Sequence, residues 1–269
     1  MEIGIIGHGV VGKAISHTLS KKFKLVIFDK FEKHDPFADL FHCDFVFIAV
    51  PTPFDCKNNE VDVSSIVESL ENLENINFSG VAIIKSTVTP STCEALSKNV
   101  SFDIVFNPEF LRESTTPNED FRDQEIVVIG TSSVNIFNKI KKMFELVLLP
   151  EAQYFHTSTN EAEMIKLAQN TMLASRVAIA NMLYDACLEK SIDYNLIRNI
   201  AFDKFEILGP YMSLVPGPDG NRGFGGKCLP KDIRAFNSIH NSKLLKEIIH
   251  YNDFLRDDLH NFLDNYSKN

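Results

Sequence analysis

The residues best suited to covalent chemistry lie in one short stretch, GFGGKCLPKD, at positions 223–232. Three glycines in four positions allow a tight turn and a close approach of the backbone to a ligand. Cys228 follows them, just ahead of a proline that suits the first turn of a helix. The positive end of that helix, Lys227 and Lys231 should all favour the thiolate. Cys228 is therefore a candidate nucleophile, although a structural cysteine in a surface loop gives the same pattern.

A second set of residues, near the amino terminus, is typical of dinucleotide binding. A short apolar strand at residues 3–6 is followed by GHGVVG at 7–12 and then by a helical pattern. The first glycine would make the tight turn, the second would admit a pyrophosphate, and the third would let the helix pack on the strand. The residues predicted to contact the cofactor in this loop are Gly7, Gly9, Val10, Val11 and Gly12.

The next strand ends in an acidic residue. Residues 24–28 form this strand, and Asp29 follows it, about 20 residues beyond Gly9. An acid at this position can accept hydrogen bonds from the ribose hydroxyls, which favours NAD. The neighbouring Lys30 keeps NADP as a minor alternative. Strand, glycines, helix, strand and acid together predict a dinucleotide site rather than a glycine-rich turn without a ligand.

Further apolar runs extend this pattern into a sheet. Strands are predicted at 45–50, 81–85, 103–106 and 126–129, with helical or loop segments between them, such as 63–73. Continuously apolar strands that alternate with helices predict a doubly wound parallel sheet in an α/β domain. Ligands bind beyond the carboxyl ends of such strands. The residues at those ends that we single out are Pro51, Thr52, Ser86, Thr87, Glu109 and Glu113.

These strand-end residues are not equally informative. The prolines and Ser86 could simply end their strands. Glu109 and Glu113 are different, because two carboxylates just past a strand are costly to desolvate without partners or a task such as activating water. We therefore interpret the two carboxylates as functional.

The character of the chain changes at Thr159. This residue could cap a helix that continues to about Lys190, roughly 45 Å long at 1.5 Å per residue. Glu163, Lys166 and Asn170 are spaced by three and four residues and so lie along one face. A solvated face with a Glu–Lys pair has the same spacing, but a helix of this length typically connects domains or joins subunits. We therefore place these polar groups in a functional site.

We place a domain boundary near Ser158, which gives an NAD-binding domain at 1–158 and a smaller, all-helical domain at 159–269. The second is predicted to hold helices at 193–202, 230–239 and 243–266, with a loop at 209–227. The long helix 159–190 carries more apolar and small residues than one small domain can cover, which predicts a homodimer. These residues are Met164, Leu167, Met172, Ala174, Ala178 and Met182.

Composition narrows the function classes. The chain has 269 residues, 44% hydrophobic and 23% charged, which is ordinary for a globular protein. A net charge of −9 argues against nucleic-acid and anionic-membrane partners. Five cysteines without a CxxC pair do not suggest a disulfide framework or a zinc site. With no apolar leader or membrane span, we expect a cytoplasmic protein.

The motifs together resemble the UDP-glucose/GDP-mannose dehydrogenase family. The resemblance implies NAD-dependent oxidation of the C6 alcohol of a nucleotide sugar to a carboxylate, with two molecules of NAD reduced. It also implies a Rossmann-like domain followed by a helical one that contributes the catalytic cysteine and the dimer contacts. The matching segments are 7–12, VPTP at 50–53, STV at 86–88, NPEFLRE at 107–113, Glu163 with Lys166 and Asn170, and 223–232.

The resemblance also implies roles for individual residues. By position, Cys228 would be the nucleophile and Glu109 the group that activates water. Lys166 and Asn170 would hold the oxyanion and the water. The remaining implied contacts are Asp232 and Thr87 in the water network, Glu113 and Ser86 near the nicotinamide, and Phe110, Leu111, Arg112, Arg222 and Gly225 at the substrate.

The sequence also departs from the family pattern. Lys227 and Ser114 stand where serine and glycine are usual, and the chain stops where the family normally continues into a domain for the nucleotide half of the substrate. Arg222, in the loop 216–222, could supply substitute phosphate contacts. Two alternatives stay open: a two-electron hydroxyacid-type dehydrogenase, which has no use for Cys228, and a catalytically silent NAD-binding protein that needs a partner chain.

Overall fold

The computed structural model describes residues 1–111, 116–204 and 215–256. The chain divides into two compact units. The first comprises residues 1–52 and 61–166, and the second comprises residues 53–60 and 167–269. This division into compact units does not test the domains predicted at 1–158 and 159–269, which stay a prediction.

The strands of the described residues follow the predicted apolar runs and add several short ones. Their bounds are β1 (Glu2–Ile6), β2 (Lys24–Phe28), β3 (Phe45–Ile48), β4 (Phe54–Asp55), β5 (Glu60–Val61), β6 (Val81–Ile84), β7 (Asp103–Phe106), β8 (Ile126–Gly130) and β9 (Gln153–Thr157).

The first unit is built on a seven-stranded sheet in the order β2-β1-β3-β6-β7-β8-β9. The strands from β2 to β7 are parallel. Successive strands are added outward on one side of β1 and, from β3 onward, on the other side. In sheets of this kind ligands bind beyond the carboxyl ends of the two strands where the order reverses, so the loops after β1 and β3 flank the expected binding site. A side chain at Gly7, after β1, would collide with the carbonyl of Ala49, after β3. The predicted doubly wound, Rossmann-like fold is confirmed.

The sheet is mostly parallel, and the contact of β8 with β7 is the exception. This strand meets β7 antiparallel, through the single pair Phe106 and Gly130, and β9 then runs parallel to β8. The side-chain amide of Asn107 donates to the carbonyl of Val128 at 2.6 Å and adds a bond where the backbone ladder stops. An apolar run predicts a buried strand but carries no information on its direction, so the sequence does not reveal this exception.

Helices complete both units. Their bounds are α1 (Val10–Leu19), α2 (Ser64–Asn75), α3 (Thr92–Leu96), α4 (Pro117–Arg122), α5 (Val134–Glu145), α6 (Thr159–Glu189), α7 (Tyr194–Arg198), α8 (Leu229–His240) and α9 (Lys243–Arg256).

Two apolar clusters cover the two faces of the sheet. Successive residues of β3 point to opposite faces, so that Val46 belongs to one cluster and Phe47 to the other. The first cluster includes Leu70 of α2, and the second includes Ile15 of α1 and Ile140 of α5. Every residue of β3 is buried, as expected for a central strand covered by helices on both sides.

The long helix α6 has the predicted start and length. Its cap, however, is Ser158 and not Thr159. The Ser158 hydroxyl accepts the N–H of Glu161 at 3.2 Å, while the Glu161 carboxylate accepts the N–H of Ser158 at 2.8 Å. This reciprocal pair is a capping box, which satisfies donors that the first helical turn leaves unpaired.

The second unit is mostly helical, as predicted, but includes the short β4–β5 ladder. Its apolar core joins Ala174 and Ala178 of α6 to Phe224, Ile233 and Leu245. The helix predicted at 193–202 is α7, followed by a π-helical turn at 199–203. The last predicted helix is α9, and its predicted continuation to 266 lies outside the described residues.

None of the helices in the described part of the chain combines the length and the apolar character that a membrane span requires.

Candidate active site

The dinucleotide loop follows β1. Gly7 has a φ of 90°, a conformation that disfavours side chains. A side chain at Gly12 would collide with the carbonyl of Gly7, whereas Gly9 has open space around its Cβ position at the start of α1. Val10 is 66% exposed beside it, and Val11 packs against the core. The loop therefore leaves the N-terminus of α1 accessible, where backbone N–H groups can bind a phosphate.

Asp29 lies beside this loop and anchors it. One carboxylate oxygen accepts the N–H of His8 at 2.7 Å, and the other accepts the N–H groups of Phe31 and Glu32 at 2.8 and 3.1 Å. Burial alone would raise the pKa of Asp29, but these backbone donors outweigh it and hold the pKa below its ordinary value. Asp29 is therefore an anionic acceptor at the edge of the predicted cofactor site.

The segments after β3 and β6 are bonded to each other. The Thr52 hydroxyl donates to the carbonyl of Thr87 at 2.8 Å, and the Ser86 hydroxyl donates to the carbonyl of Val50 at 2.6 Å. Thr52 and Ser86 are buried, whereas Pro51, also predicted to contact the cofactor, is exposed. The structure thus brings these predicted residues together at one edge of the sheet, next to the switch point between β1 and β3.

Glu109, after β7, is held by a buried cation. Its exposed fraction is 8%, and one oxygen accepts the N–H groups of Phe110 and Leu111, both at 2.9 Å. The other oxygen lies 3.0 Å from the ammonium group of Lys85. Lys85 in turn donates to the side-chain oxygen of Asn107 at 2.9 Å. This arrangement fixes the orientation of the carboxylate.

Lys85 was not predicted as a site residue, because it ends an apolar run and was assigned to the strand. Its side chain is 1% exposed. Burial lowers the pKa of Lys85, and the nearby Lys166 lowers it further, while Glu109 opposes both effects. A lysine at the end of a buried apolar strand is the signal that could have identified it, since lysine is almost never fully buried without a partner.

The polar stripe of α6 is buried. Glu163 is fully buried, and its carboxylate accepts the N–H groups of Ser91 and Cys93 at 2.8 Å each, at the start of α3. Lys166 is 7% exposed, and its ammonium group lies 5.6 Å from the centre of the Phe110 ring. The solvated-face interpretation of this stripe is therefore wrong. Arg112 and Glu113, also predicted at this site, lie outside the described residues.

In the second unit, Cys228 and Asp232 occupy the first turn of α8. Cys228 is the N-cap residue with an exposed thiol, and its carbonyl accepts the N–H of Asp232 at 2.8 Å. Asp232 is fully buried and bonds to the side-chain amide of Asn170, with Lys231 at 3.4 Å. Asp232 and Asn170 are thus bonded through their side chains, and Cys228 is joined to Asp232 by the backbone bond of the first helical turn.

The glycine-rich loop before Cys228 is held by two asparagines. Gly223 and Gly226 both have a φ of 75°, which explains glycine at these positions. The N–H of Gly223 donates to the side-chain oxygen of Asn181 at 3.0 Å. Asn252 accepts the N–H of Phe224 at 2.6 Å and donates back to its carbonyl at 3.1 Å. Neither asparagine belongs to a motif, and their contacts join residues too far apart in sequence to be predicted.

Arg256 of α9 covers the same loop. Its guanidinium donates to the carbonyl of Gly223 at 3.0 Å and pairs with Asp219 at 2.7 Å. A side chain at Gly225 would collide with this guanidinium. Gly225, predicted at the substrate, therefore also has a packing reason to be glycine.

Arg222, predicted to contact a phosphate, already has partners within the second unit. Its guanidinium lies 2.5 Å from Asp185 and 5.3 Å from the centre of the Tyr184 ring. Asp185 also accepts a hydrogen bond from Tyr251 at 2.8 Å. A phosphate would have to compete with this carboxylate for Arg222.

Comparison with known proteins agrees with these features. Residues 29–148 match the NAD binding domain of the UDP-glucose/GDP-mannose dehydrogenase family, and residues 160–253 match its central domain. UDP-glucose 6-dehydrogenase from Rickettsia bellii is 33% identical over 226 residues, which are 80% of this chain and 50% of the relative. The enzyme of the same name from Campylobacter jejuni is 33% identical over 220 residues, 79% of this chain and 53% of the relative.

Solved structures show the same fold. A UDP-glucose dehydrogenase from the hyperthermophilic archaeon Pyrobaculum islandicum superposes with a TM-score of 0.82 at 21% identity, over 94% of this chain and 68% of that one. The chain spans about half the length of the curated relatives it matches.

Proposed function

Because the chain belongs to the UDP-glucose/GDP-mannose dehydrogenase family, we propose that it oxidises the C6 alcohol of a nucleotide sugar resembling UDP-glucose to the carboxylate, with NAD as the oxidant. The observation that carries this proposal is the exposed thiol of Cys228 at the start of α8, one turn before the buried Asp232. A two-electron hydroxyacid dehydrogenase has no role for such a thiol, which favours the four-electron reaction.

The cofactor fits the first unit. The open space at Gly9, the free approach to the N-terminus of α1 and the anionic Asp29 suit a dinucleotide, with the phosphates at the helix and a ribose at the acid. NAD supplies the hydride acceptor for both oxidations. Thr52, Ser86 and Thr87 are proposed to line the nicotinamide side, where Thr52 is bonded to the carbonyl of Thr87 and Ser86 to that of Val50.

Cys228 supplies the covalent step. The first oxidation converts the alcohol to an aldehyde, and the thiolate adds to the aldehyde carbon to give a thiohemiacetal. The second oxidation converts this adduct to a thioester, so that two hydrides leave in total. Water then attacks the thioester carbon, which releases the carboxylate and regenerates the thiol.

The buried polar groups assist these steps. Glu109 takes the proton of the attacking water, because its carboxylate is oriented by Lys85 and by two backbone N–H groups. Lys166 and Asn170 stabilise the oxyanion, by charge and by hydrogen bonding. Asp232 orients Asn170 through their direct bond, and Phe110, Leu111 and Gly225 contact the sugar.

The base and sugar of the substrate are proposed by likeness to the relatives alone. Purified protein offered NAD and a panel of nucleotide sugars should form two NADH per sugar with no free aldehyde. No NADH with any sugar would reject the proposal for this chain by itself and favour a silent NAD-binding protein.

Variants at Cys228 and Glu109 test the covalent route. Cys228→Ser should reduce steady turnover by orders of magnitude with little change in NAD affinity, because a hydroxyl stays protonated at neutral pH. Glu109→Gln should release a burst near two NADH per site and then stall, with the acyl group visible on Cys228 by mass spectrometry. Cys187→Ala, which changes another free thiol, serves as the control and should retain activity. Full turnover by Cys228→Ala would contradict the covalent route.

A further inference from the structure

Three metal-ligating side chains meet beside the dinucleotide loop. They are His8 of the loop and Glu32 and His34, which follow β2. One possible ligand atom from each lies within 4.8 Å of the other two. The His34 Nε2 is 3.3 Å from a Glu32 oxygen, and the His8 Nδ1 is 3.9 Å from the same oxygen.

The hydrogen bonds of Ser16 determine the tautomer of His8. The Ser16 hydroxyl donates to the carbonyl of Lys13 at 2.9 Å, so its only proton is used there. At the 3.0 Å contact between Ser16 and the His8 Nε2, the serine must therefore accept and the histidine must donate. The proton of the neutral ring lies on Nε2, which leaves a bare lone pair on Nδ1.

That lone pair lacks a hydrogen-bond partner. The His8 Nδ1 is buried and makes no hydrogen bond, while the nearest oxygen of Glu32 is also an acceptor. Two acceptors that face each other across 3.9 Å repel unless a cation lies between them.

We propose that His8, Glu32 and His34 form a binding site for one divalent transition-metal ion, for which zinc is the best match. Two imidazoles and one carboxylate are a known three-ligand set for zinc, with water in the fourth position. At zinc–ligand distances of about 2.0–2.1 Å, tetrahedral ligand atoms lie roughly 3.4 Å apart, within small side-chain rotations of the distances present. His34 binds through Nε2, and the proton of that atom moves to Nδ1 or to solvent.

The surroundings of the cluster suit this assignment. A metal-bound histidine usually donates its other ring N–H to an oxygen, which fixes the ring, and Ser16 already accepts from His8 in this way. The second Glu32 oxygen pairs with Lys13 at 3.2 Å, which leaves the first oxygen to face the two rings. Cysteine spacing could not indicate this site, because it contains no cysteine.

Zinc titration of the full chain, stripped of metal, tests the proposal by calorimetry. Wild type should bind one Zn²⁺ that His34→Ala and Glu32→Gln bind at least about 10-fold more weakly, since even the loss of an outer hydrogen bond costs about 10–100-fold. Ser16→Ala should lose affinity within that range. His17→Ala removes an exposed histidine of α1 outside the cluster and should bind like wild type.

Cobalt identifies the ligands independently. Co²⁺ in the site should show the visible absorption of nitrogen and oxygen ligands, without the sulfur charge-transfer band that binding at Cys228 would give. Circular dichroism should show that His34→Ala is folded. Equal zinc affinity in wild type and His34→Ala, no zinc binding by wild type, or a sulfur band as the only cobalt signal would each overturn the proposal.

Discussion

Lys85 shows how one buried residue orients a candidate catalytic group. Its ammonium group is in contact with Glu109 at 3.0 Å, and both side chains are nearly excluded from solvent. Charges that leave water lose several kcal/mol of solvation, which such a pair recovers only with good geometry and further hydrogen bonds. The bonds from Lys85 to Asn107 and from two backbone N–H groups to Glu109 supply these.

Lys85→Met should therefore strongly destabilise the protein. It leaves the Glu109 carboxylate buried without its counter-ion, and breaking a buried pair in this way costs about 3–5 kcal/mol. Urea unfolding followed by circular dichroism measures the loss. Lys30→Met is the matched control, because Lys30 pairs with Glu68 at a similar 2.9 Å but with both side chains more than half exposed. That pair should contribute less than about 1 kcal/mol. Equal losses in the two variants would contradict the buried-pair interpretation.

At the residue scale, the sequence could predict positions but not partners. Glu109 and Cys228 follow from the strand end and the helix start, which are local features. Lys85 was not predicted, because its partner Glu109 lies 24 residues away at the end of another strand. Only the folded sheet brings the two side chains together. Glu163 was correctly placed on one face with Lys166, yet its bonds to α3 depend on tertiary packing.

Between elements, Glu163 links the long helix α6 to the short helix α3. Its carboxylate accepts the N–H groups of Ser91 and Cys93, donors that the start of α3 leaves without helical partners. The carboxylate of a neighbouring helix therefore acts as the cap of α3. A helix of five residues is too short to be stable by itself, so this contact helps to determine whether it forms.

Glu163→Gln should destabilise the first unit by about 1.5–3 kcal/mol, because a glutamine offers one neutral acceptor where the carboxylate accepts two charge-assisted bonds. Chemical unfolding measures the change. The control is Glu161→Gln, which weakens the exposed capping box of α6 and should cost less than about 1 kcal/mol. A smaller loss in Glu163→Gln than in Glu161→Gln would argue against the capping role.

The same residue predicts a pH dependence. Burial raises the pKa of Glu163 above its ordinary value of 4.5, although the N–H donors of Cys93 and Ser91 oppose the shift. The folded state then retains this proton to higher pH than the unfolded state does. Its contribution to stability therefore falls as the pH rises from 4.5 through the raised folded value. The free energy of unfolding, measured across this pH range, should therefore fall less steeply with pH in Glu163→Gln than in the wild type.

The elements differ in how far the sequence predicted them. Helix α6 was predicted within one residue at its end, because a long apolar period with capping residues is a strong local signal. Strands β4 and β5 were not predicted, since two residues each show no periodicity. The antiparallel contact of β8 was not foreseen, because the direction of a strand depends on which neighbour it pairs with.

In the whole molecule, the second unit positions the candidate nucleophile Cys228. The glycine loop before Cys228 is bonded to Asn181 of α6 and to Asn252 and Arg256 of α9, so the second unit itself can hold the nucleophile in place.

Among the described residues, part of α6 in the second unit is exposed to solvent. Met172, Ile179 and Met182 are exposed by 64%, 49% and 53%. Spacings of seven and three residues place them on one stripe of the helix, with Ser175, a small residue, between them. An apolar stripe of this kind suits close packing against an identical helix across a two-fold axis, where each residue is buried in both copies. We propose a second copy of this chain as its partner.

The wild-type protein should therefore have the mass of two chains in solution at micromolar concentration, as measured by light scattering or sedimentation. A variant with Met172→Glu and Met182→Glu should have the mass of one chain, because four unpaired carboxylates would be buried in each dimer. Leu244→Glu, on α9, changes a side chain that is 69% exposed and lies outside the stripe, and it should stay dimeric. A wild-type monomer would reject the dimer, and dissociation of the Leu244→Glu variant to the same extent would show that the stripe is not the interface.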